Sequence, residues 1–180
     1  MKKILVLTGS PRSGGNSDMM ADAFIKGARA AGHEVVKIKA DEKNVRGCKA
    51  CNACYSKETA CVFDDDFNEI APHIENADVV AMATPLYWYT FPAQLKAVID
   101  KMYALYSGNK SFNAKECVLM ACAAEDDQEA FEGLVRSWNL ILKLLNWVEK
   151  GRLIVPGVND AGDIEKTDAL DKAEAMGAGL

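Results

Sequence analysis

Between the apolar run Ile4-Leu5-Val6-Leu7 and a segment of helical periodicity at residues 17–31 lies Thr8-Gly9-Ser10-Pro11-Arg12-Ser13-Gly14-Gly15-Asn16-Ser17. A buried strand, a Gly/Ser-rich loop and a helix start, in that order, make an anion site. The helix N-terminus offers unpaired N–H groups and a partial positive charge. Arg12 can add a charge-assisted hydrogen bond, and the hydroxyls of Thr8, Ser10, Ser13 and Ser17 can point inward. Gly9, Gly14 and Gly15 let the backbone bend and approach a ligand. Asn16 or Ser17 is expected to cap the helix. No Gly-Lys-Ser/Thr closes the loop and it has no Gly-x-Gly-x-x-Gly, so neither the P-loop nor the dinucleotide fingerprint applies. Such a loop suits a terminal monophosphate better than a triphosphate. An ordinary helix-capping loop is the competing reading of the same residues.

From here the chain alternates. A strand is expected at 34–39, a helix at 66–75, a nearly all-apolar and therefore central strand at 77–83, and a helix at 93–106. A turn at 108–110, a strand at 117–122, a loop at 123–127, a long helix at 127–150, a short strand at 151–156 and a helix at 164–176 complete it. Asp64-Asp65-Asp66 reads as a solvated helix start. Five strands alternating with helices predict an α/β, open, doubly wound, five-stranded parallel sheet with helices on both faces; with a flavodoxin-like order of 2-1-3-4-5, strands one, three and four are neighbours. The 180 residues are expected to form one domain, 1–180, with a cysteine-rich insertion at 47–63.

Composition excludes several classes of partner. A net charge of −5 disfavours nucleic acid and anionic membrane surfaces. No run of about 18 apolar residues would span a bilayer, and Met1-Lys2-Lys3 leads into a short strand rather than a signal peptide. A cytoplasmic protein is expected, in which six cysteines point to metal, redox chemistry or burial rather than disulfides.

Ligands of such sheets sit beyond the carboxyl ends of the strands. Three segments occupy such ends: the loop above, Thr84 to Pro92, and Ala123 to Asp127. The second carries Tyr87, Trp88, Tyr89 and Phe91 between Pro85 and Pro92. A flat ligand would use these rings by stacking, while some of them pack against the next helix or a partner subunit. Phosphate at one strand end and a planar ring at the next describe a mononucleotide, FMN in particular.

Gly9-Ser10-Pro11-Arg12-Ser13-Gly14-Gly15-Asn16-Ser17 resembles the phosphate loop of the NAD(P)H-dependent FMN reductases. Pro85-Leu86-Tyr87-Trp88 with Pro92-Ala93-Gln94-Leu95-Lys96 and Ile99-Asp100-Lys101 resembles that family's isoalloxazine loop and following helix, and the likeness covers roughly the first 125 residues. It implies phosphate contacts from Ser10, Arg12, Asn16 and Ser17, and a flavin edge along Pro85, Leu86, Tyr87 and Trp88. Backbone amides at 86–88 would stabilise charge on the reduced ring. Ser13 and Gly15 join the cofactor-binding set from the loop itself, and Ala123, Ala124 and Glu125 from the third strand end. The chemistry belongs to FMN, with NAD(P)H as co-substrate, so no catalytic side chain is expected.

Cys48-Lys49-Ala50-Cys51-Asn52-Ala53-Cys54, followed by Cys61, has the spacing to wrap one iron–sulfur cube. It resembles the compact motif of the iron–sulfur flavoproteins, a branch of the same family. Four-cysteine zinc and a loop that binds nothing are the alternatives. Cys117 and Cys122 read as core residues.

The implied function is an FMN-dependent NAD(P)H oxidoreductase acting on a quinone, a nitro or azo compound, or free flavin. An electron carrier with FMN and a 4Fe–4S cluster on Cys48, Cys51, Cys54 and Cys61 is one alternative, and a cysteine-based redox sensor another. Exposed aromatics and the cysteine loop predict a homodimer or homotetramer, with the cysteine loop or the Tyr87–Phe91 loop near the interface.

Overall fold

A computed structural model describes residues 1–108, 110, 112 and 115–180. In chain order the elements are β1 (Lys3–Thr8), α1 (Asn16–Ala30), β2 (Glu34–Lys39), α2 (Phe67–Asn76), β3 (Val79–Pro85), α3 (Ala93–Lys101), α4 (Tyr103–Ser107), β4 (Glu116–Cys122), α5 (Glu132–Leu145), β5 (Val148–Val155) and α6 (Ala169–Ala178). Short 3-10 turns fill Ala40–Glu42, Gln128–Phe131 and Asp163–Lys166. The expected turn at 108–110 includes Asn109, which lies outside the described residues.

All five strands are parallel, in the order β2-β1-β3-β4-β5. This is the expected flavodoxin-like order. Alternation along β1 divides the core in two. Leu5 and Leu7 pack with α2, α3 and α5, while Ile4 and Val6 pack with α1 and α6. Thr8 pairs with Ala83, Ala83 with Met120, and Cys122 with Val155, so the carboxyl ends of β1, β3, β4 and β5 stand nearly level. That common edge carries the site.

The α1–α6 contact depends on glycine. A Cβ on Gly27 would stand 1.9 Å from the carbonyl oxygen of Glu174, and one on Gly177 would stand 2.1 Å from that of Phe24. Only two missing side chains let these backbones touch.

Several expected boundaries move, among them that of the last helix, expected at 164–176, which divides into the 3-10 turn Asp163–Lys166 and α6. The helix expected at 93–106 divides at Met102 into α3 and α4. The helix expected at 127–150 ends at Leu145, because Asn146 turns left-handed at φ 53 and stops it. Trp147 then turns inward and donates its Nε1–H to the Phe112 carbonyl. The strand therefore begins at Val148 rather than 151, since the backbone from Val148 onward pairs with β4. Helical spacing of apolar residues runs through this corner, and the pairing overrides it. Asp65 is no solvated cap either: its side chain is fully buried and ion-paired with Lys101. Among the described residues no helix is long and apolar enough to cross a membrane.

Candidate functional site

The β1–α1 loop closes on itself. The Arg12 amide donates to Ser10 Oγ at 3.0 Å, and the Gly15 amide donates to the Arg12 carbonyl at 3.1 Å. The Gly9 amide donates to the Ala83 carbonyl, and a Cβ on Gly9 would stand 2.9 Å from Thr84 Oγ1. Gly14, at φ 66, donates its amide to Asp18 Oδ2. Asp18 also receives Lys37 Nζ at 2.7 Å. Burial pushes the Asp18 carboxyl up. The Lys37 and Gly14 hydrogen bonds, with the charges of Lys37 and Lys39, outweigh that and hold it below the ordinary carboxylate value.

Helix α1 begins without a side-chain cap. Its N-cap is Gly15, in extended conformation, and neither Asn16 nor Ser17 caps it as expected. The Met19 amide takes the Gly15 carbonyl, so the amides of Asn16, Ser17 and Asp18 have no acceptor within the helix. The Asn16 side chain is committed elsewhere. It donates to the Asp160 carbonyl at 3.0 Å and accepts from the Ile164 amide at 3.3 Å. It thereby ties the segment after β5 to the start of α1.

A cleft of about 220 Å³ opens at this helix start. Ser10, Arg12, Gly15, Asn16 and Ser17 line one part of it, and Pro85, Leu86 and Tyr87 another. Ala123, Ala124 and Glu125 complete the expected set. Two expected residues are not part of the lining. Ser13 is exposed and accepts from Lys39 Nζ at 3.2 Å. Trp88 is 93% exposed. Thr8 is buried, its hydroxyl has no partner among the described residues, and it is not part of the cleft lining.

The aromatic loop folds into a two-residue turn. Tyr87 and Thr90 exchange both backbone hydrogen bonds, at 3.0 and 3.1 Å. Trp88 and Tyr89 between them have φ of 47 and 63. Two positive values make the type I′ pattern, which favours Asn-Gly. Two aromatic residues there are strained. The Leu86 amide donates to the Cys122 carbonyl and the Tyr87 amide to Thr90. Both are therefore spoken for, and the expected group of free amides at 86–88 reduces to that of Trp88. Phe91 turns into the core.

Sequence reasoning missed Cys122, Val158, Asn159 and Ala161, which also line the cleft. The segment after β5 is fastened to the one after β4. Gly157 donates to the Glu125 carbonyl at 2.7 Å and Val158 to the Ala123 carbonyl at 2.8 Å. A strand-end position was the available signal for Val158 and Asn159, but β5 lies at the sheet edge, well away from β1. Cys117 and Cys122 are both core residues as expected, and Cys122 also forms part of the cleft wall. Burial pushes the Cys122 thiol up to about 12, against the effect of a hydrogen bond with Ser17, so it stays neutral.

Fitness for a phosphate can be judged from these groups. The helix start is uncapped, and its free amides meet the cleft lined by Arg12. A Cβ on Gly15 would stand 3.2 Å from Arg12 Cβ and from the Arg12 carbonyl, so the loop is drawn tight around that backbone. An anion is what such a start accommodates.

Residues 2–148 match the NADPH-dependent FMN reductase family. The chain belongs to this family. It is 36% identical over 113 residues to an iron–sulfur flavoprotein of Methanosarcina thermophila, covering 63% of this chain and 59% of that protein. The chain spans about half the length of the curated relatives it matches. Among solved structures it is similar to an azoreductase of Bacillus anthracis, with TM-score 0.75 and 17% identity over the full length of both chains. It is also similar to an NAD(P)H:quinone oxidoreductase of Methanothermobacter marburgensis, with TM-score 0.70 and 22% identity over 99% of this chain and 96% of that one. At these identities the two structures speak for the fold.

This member of the family carries a second constellation. Cys48, Cys51, Cys54 and Cys61 are free thiols around one small cavity of about 20 Å³, with Lys101 and Tyr103 in its wall. Ala50, Asn52 and Tyr55 are left-handed, at φ 49, 54 and 55, and bend the segment around this point. The Ala50 amide donates to Cys48 Sγ at 3.4 Å. Among the described residues no three His, Cys, Asp or Glu side chains are grouped to hold a single metal ion. The ends of the segment are pinned. Asp65 accepts from the Arg46 and Phe67 amides, Asp66 from the Asn44 amide, and Asn68 bonds both amide and carbonyl of Cys61.

Proposed function

We propose that the chain is an FMN-dependent NAD(P)H oxidoreductase delivering electrons to a small acceptor: a quinone, a nitro or azo compound, or free flavin. The observation that carries this is the cleft. Its one end is an uncapped helix start with Arg12, and its other is the Pro85–Tyr87 edge, within a chain of the FMN reductase family. FMN, when bound, supplies transfer of one or two electrons between a nicotinamide and an acceptor. The protein's part is placement. The amides of Asn16 and Ser17 with Arg12 receive the phosphate, and Ser10 holds the loop in shape. Pro85, Leu86 and Tyr87 border the ring. The zipped segments after β4 and β5 form the wall through Ala123, Ala124 and Glu125. Gly15 keeps the approach open.

The test is Arg12→Glu. FMN binding should weaken by about 10- to 100-fold, the worth of a charge-assisted hydrogen bond, while riboflavin binding should hold. Equal losses for both ligands would remove the phosphate from this end of the cleft. NAD(P)H consumption with a small quinone reads the activity.

The cysteine pocket favours a second element in the same reading: a 4Fe–4S cluster on Cys48, Cys51, Cys54 and Cys61. Four thiols line one cavity, and left-handed turns of the kind found around iron–sulfur sites wrap it. The cavity has room for little more than water, so loading would spread the segment around the cluster. Such a protein would pass electrons onward as well as accept them. Anaerobic protein should then contain about four irons per chain, and Cys51→Ser should lose them while keeping FMN. A cytoplasmic homodimer or homotetramer completes the reading. Tyr103, Tyr106, Leu140 and Leu144 are exposed, and Tyr103, Tyr106 and Leu144 share one groove. Sedimentation as a monomer at micromolar concentration would argue against the dimer.

A further inference from the structure

We propose that Asn16 is a positioning residue for the flavin: its side chain holds the segment after β5 in place as a wall of the cleft and does not itself bind the phosphate; this rests on the FMN reading above. Asn16 is the first residue of α1, and its side-chain amide is used at both ends. Nδ2 donates to the Asp160 carbonyl at 3.0 Å, and Oδ1 accepts from the Ile164 amide at 3.3 Å. One partner only accepts and the other only donates, so a single orientation of the planar amide satisfies both. Ile164 stands in the first turn of the 3-10 segment Asp163–Lys166, where a backbone N–H has no partner within the turn itself. Asn16 supplies that partner and so fastens the turn to the helix start that faces the cleft.

Val158, Asn159 and Ala161 are the lining residues of this wall. On one side it is joined to the sheet through backbone. Val158 donates to the Ala123 carbonyl and Leu86 to the Cys122 carbonyl, so hydrogen bonds lead from the wall across the end of β4 to the Pro85–Tyr87 edge. From inside the turn, Asp163 Oδ2 accepts from the Asn159 and Asp160 amides at 3.1 and 2.8 Å. On the other side the step onto α1 is made by the Asn16 side chain, which a substitution can remove. Ile164 is buried in the core, so the segment stays folded without that step. What Asn16 adds is the placement of residues 159–164 against the helix start. A ligand that needs the wall in place binds in proportion to the fraction of molecules that hold it there. The cost of losing Asn16 therefore falls on every ligand that touches the wall, with or without a phosphate.

The full chain carrying Asn16→Ala is titrated with FMN and with riboflavin, and its backbone hydrogen exchange is followed with no flavin present. Both affinities should fall by the same factor, about tenfold, as when the wall is held in about a tenth of the molecules. Exchange should quicken across residues 157–164 and hold elsewhere. Asp163→Ala loosens the same turn from a residue outside the cleft lining and should reproduce the equal losses. It carries the test if Asn16→Ala does not fold. A loss confined to FMN would make the Asn16 side chain a phosphate ligand and overturn the proposal. Unchanged affinities overturn it too, even beside a lower melting temperature, since Asn16 would then only staple the fold. An unsubstituted chain that binds neither flavin overturns the FMN reading itself, and this role of Asn16 with it.

Discussion

Gly133 and Tyr89 meet where helix α5 passes the aromatic turn: a Cβ on Gly133 would stand 2.7 Å from the Tyr89 carbonyl oxygen. The helix backbone therefore supports the turn from behind, and the turn places Tyr87 at the cleft. Gly133→Ala adds a better helix former to α5, worth about 0.5–1 kcal/mol in itself, but it must displace a backbone carbonyl. The expected result is a melting temperature that changes little and FMN affinity lowered about tenfold, near 1.4 kcal/mol. Fluorescence titration of FMN beside thermal melts checks it. Unaltered affinity would mean that the turn does not position the cofactor.

The strain in that turn is itself measurable. Trp88 and Tyr89 hold left-handed conformations, and the Trp88 side chain is almost wholly exposed. The double substitution Trp88→Asn with Tyr89→Gly gives the turn the residues that its geometry prefers. Because little apolar contact is lost, the unfolding free energy should rise by about 1–2 kcal/mol. Urea unfolding reads this. A gain in stability with a loss of turnover would show that the aromatics are kept for function. A loss of stability would show that the turn is unstrained.

Asp18 links the phosphate loop to acid stability. Its carboxyl lies below the ordinary value in the folded chain. The stabilisation it gives is therefore fully present above the unfolded value, about 3.9. It is lost as pH falls through the folded value. Asp18→Asn should lower stability at pH 7 by about 1.5–3 kcal/mol, as expected of hydrogen bonds to a charged group. The difference from the unsubstituted chain should shrink as the pH drops below that window. Denaturant midpoints measured at neutral and acid pH check it, and a gap that widens in acid would reverse the assignment.

The central strands were legible because parallel strands buried on both faces write themselves as apolar runs, and the order 2-1-3-4-5 came with the flavodoxin-like pattern they fit. Ile4–Leu7, Val79–Ala83 and Cys117–Cys122 are such runs. The strand-end rule then brings Ser10, Arg12 and Ser17 to the same cleft as Pro85, Leu86, Tyr87 and Ala123–Glu125 from chain order alone. The four cysteines were likewise visible from spacing, and the structure places them around one cavity.

What local pattern could not carry was any commitment made at long range. Asn16 looks like a phosphate ligand or a cap until Asp160 and Ile164, more than 140 residues on, engage its side chain. Asp65 looks like part of a solvated acidic run until Lys101 on α3 buries it. Asn146 lies inside a continuous helical periodicity, and only pairing of Val148 onward with β4 ends the helix there. Periodicity records which side of an element faces the core, so it determines elements, faces and strand-end loops. Which polar group answers which is decided when distant segments come within hydrogen-bond reach. That depends on burial and on competition for a partner, and it exists only in the folded chain.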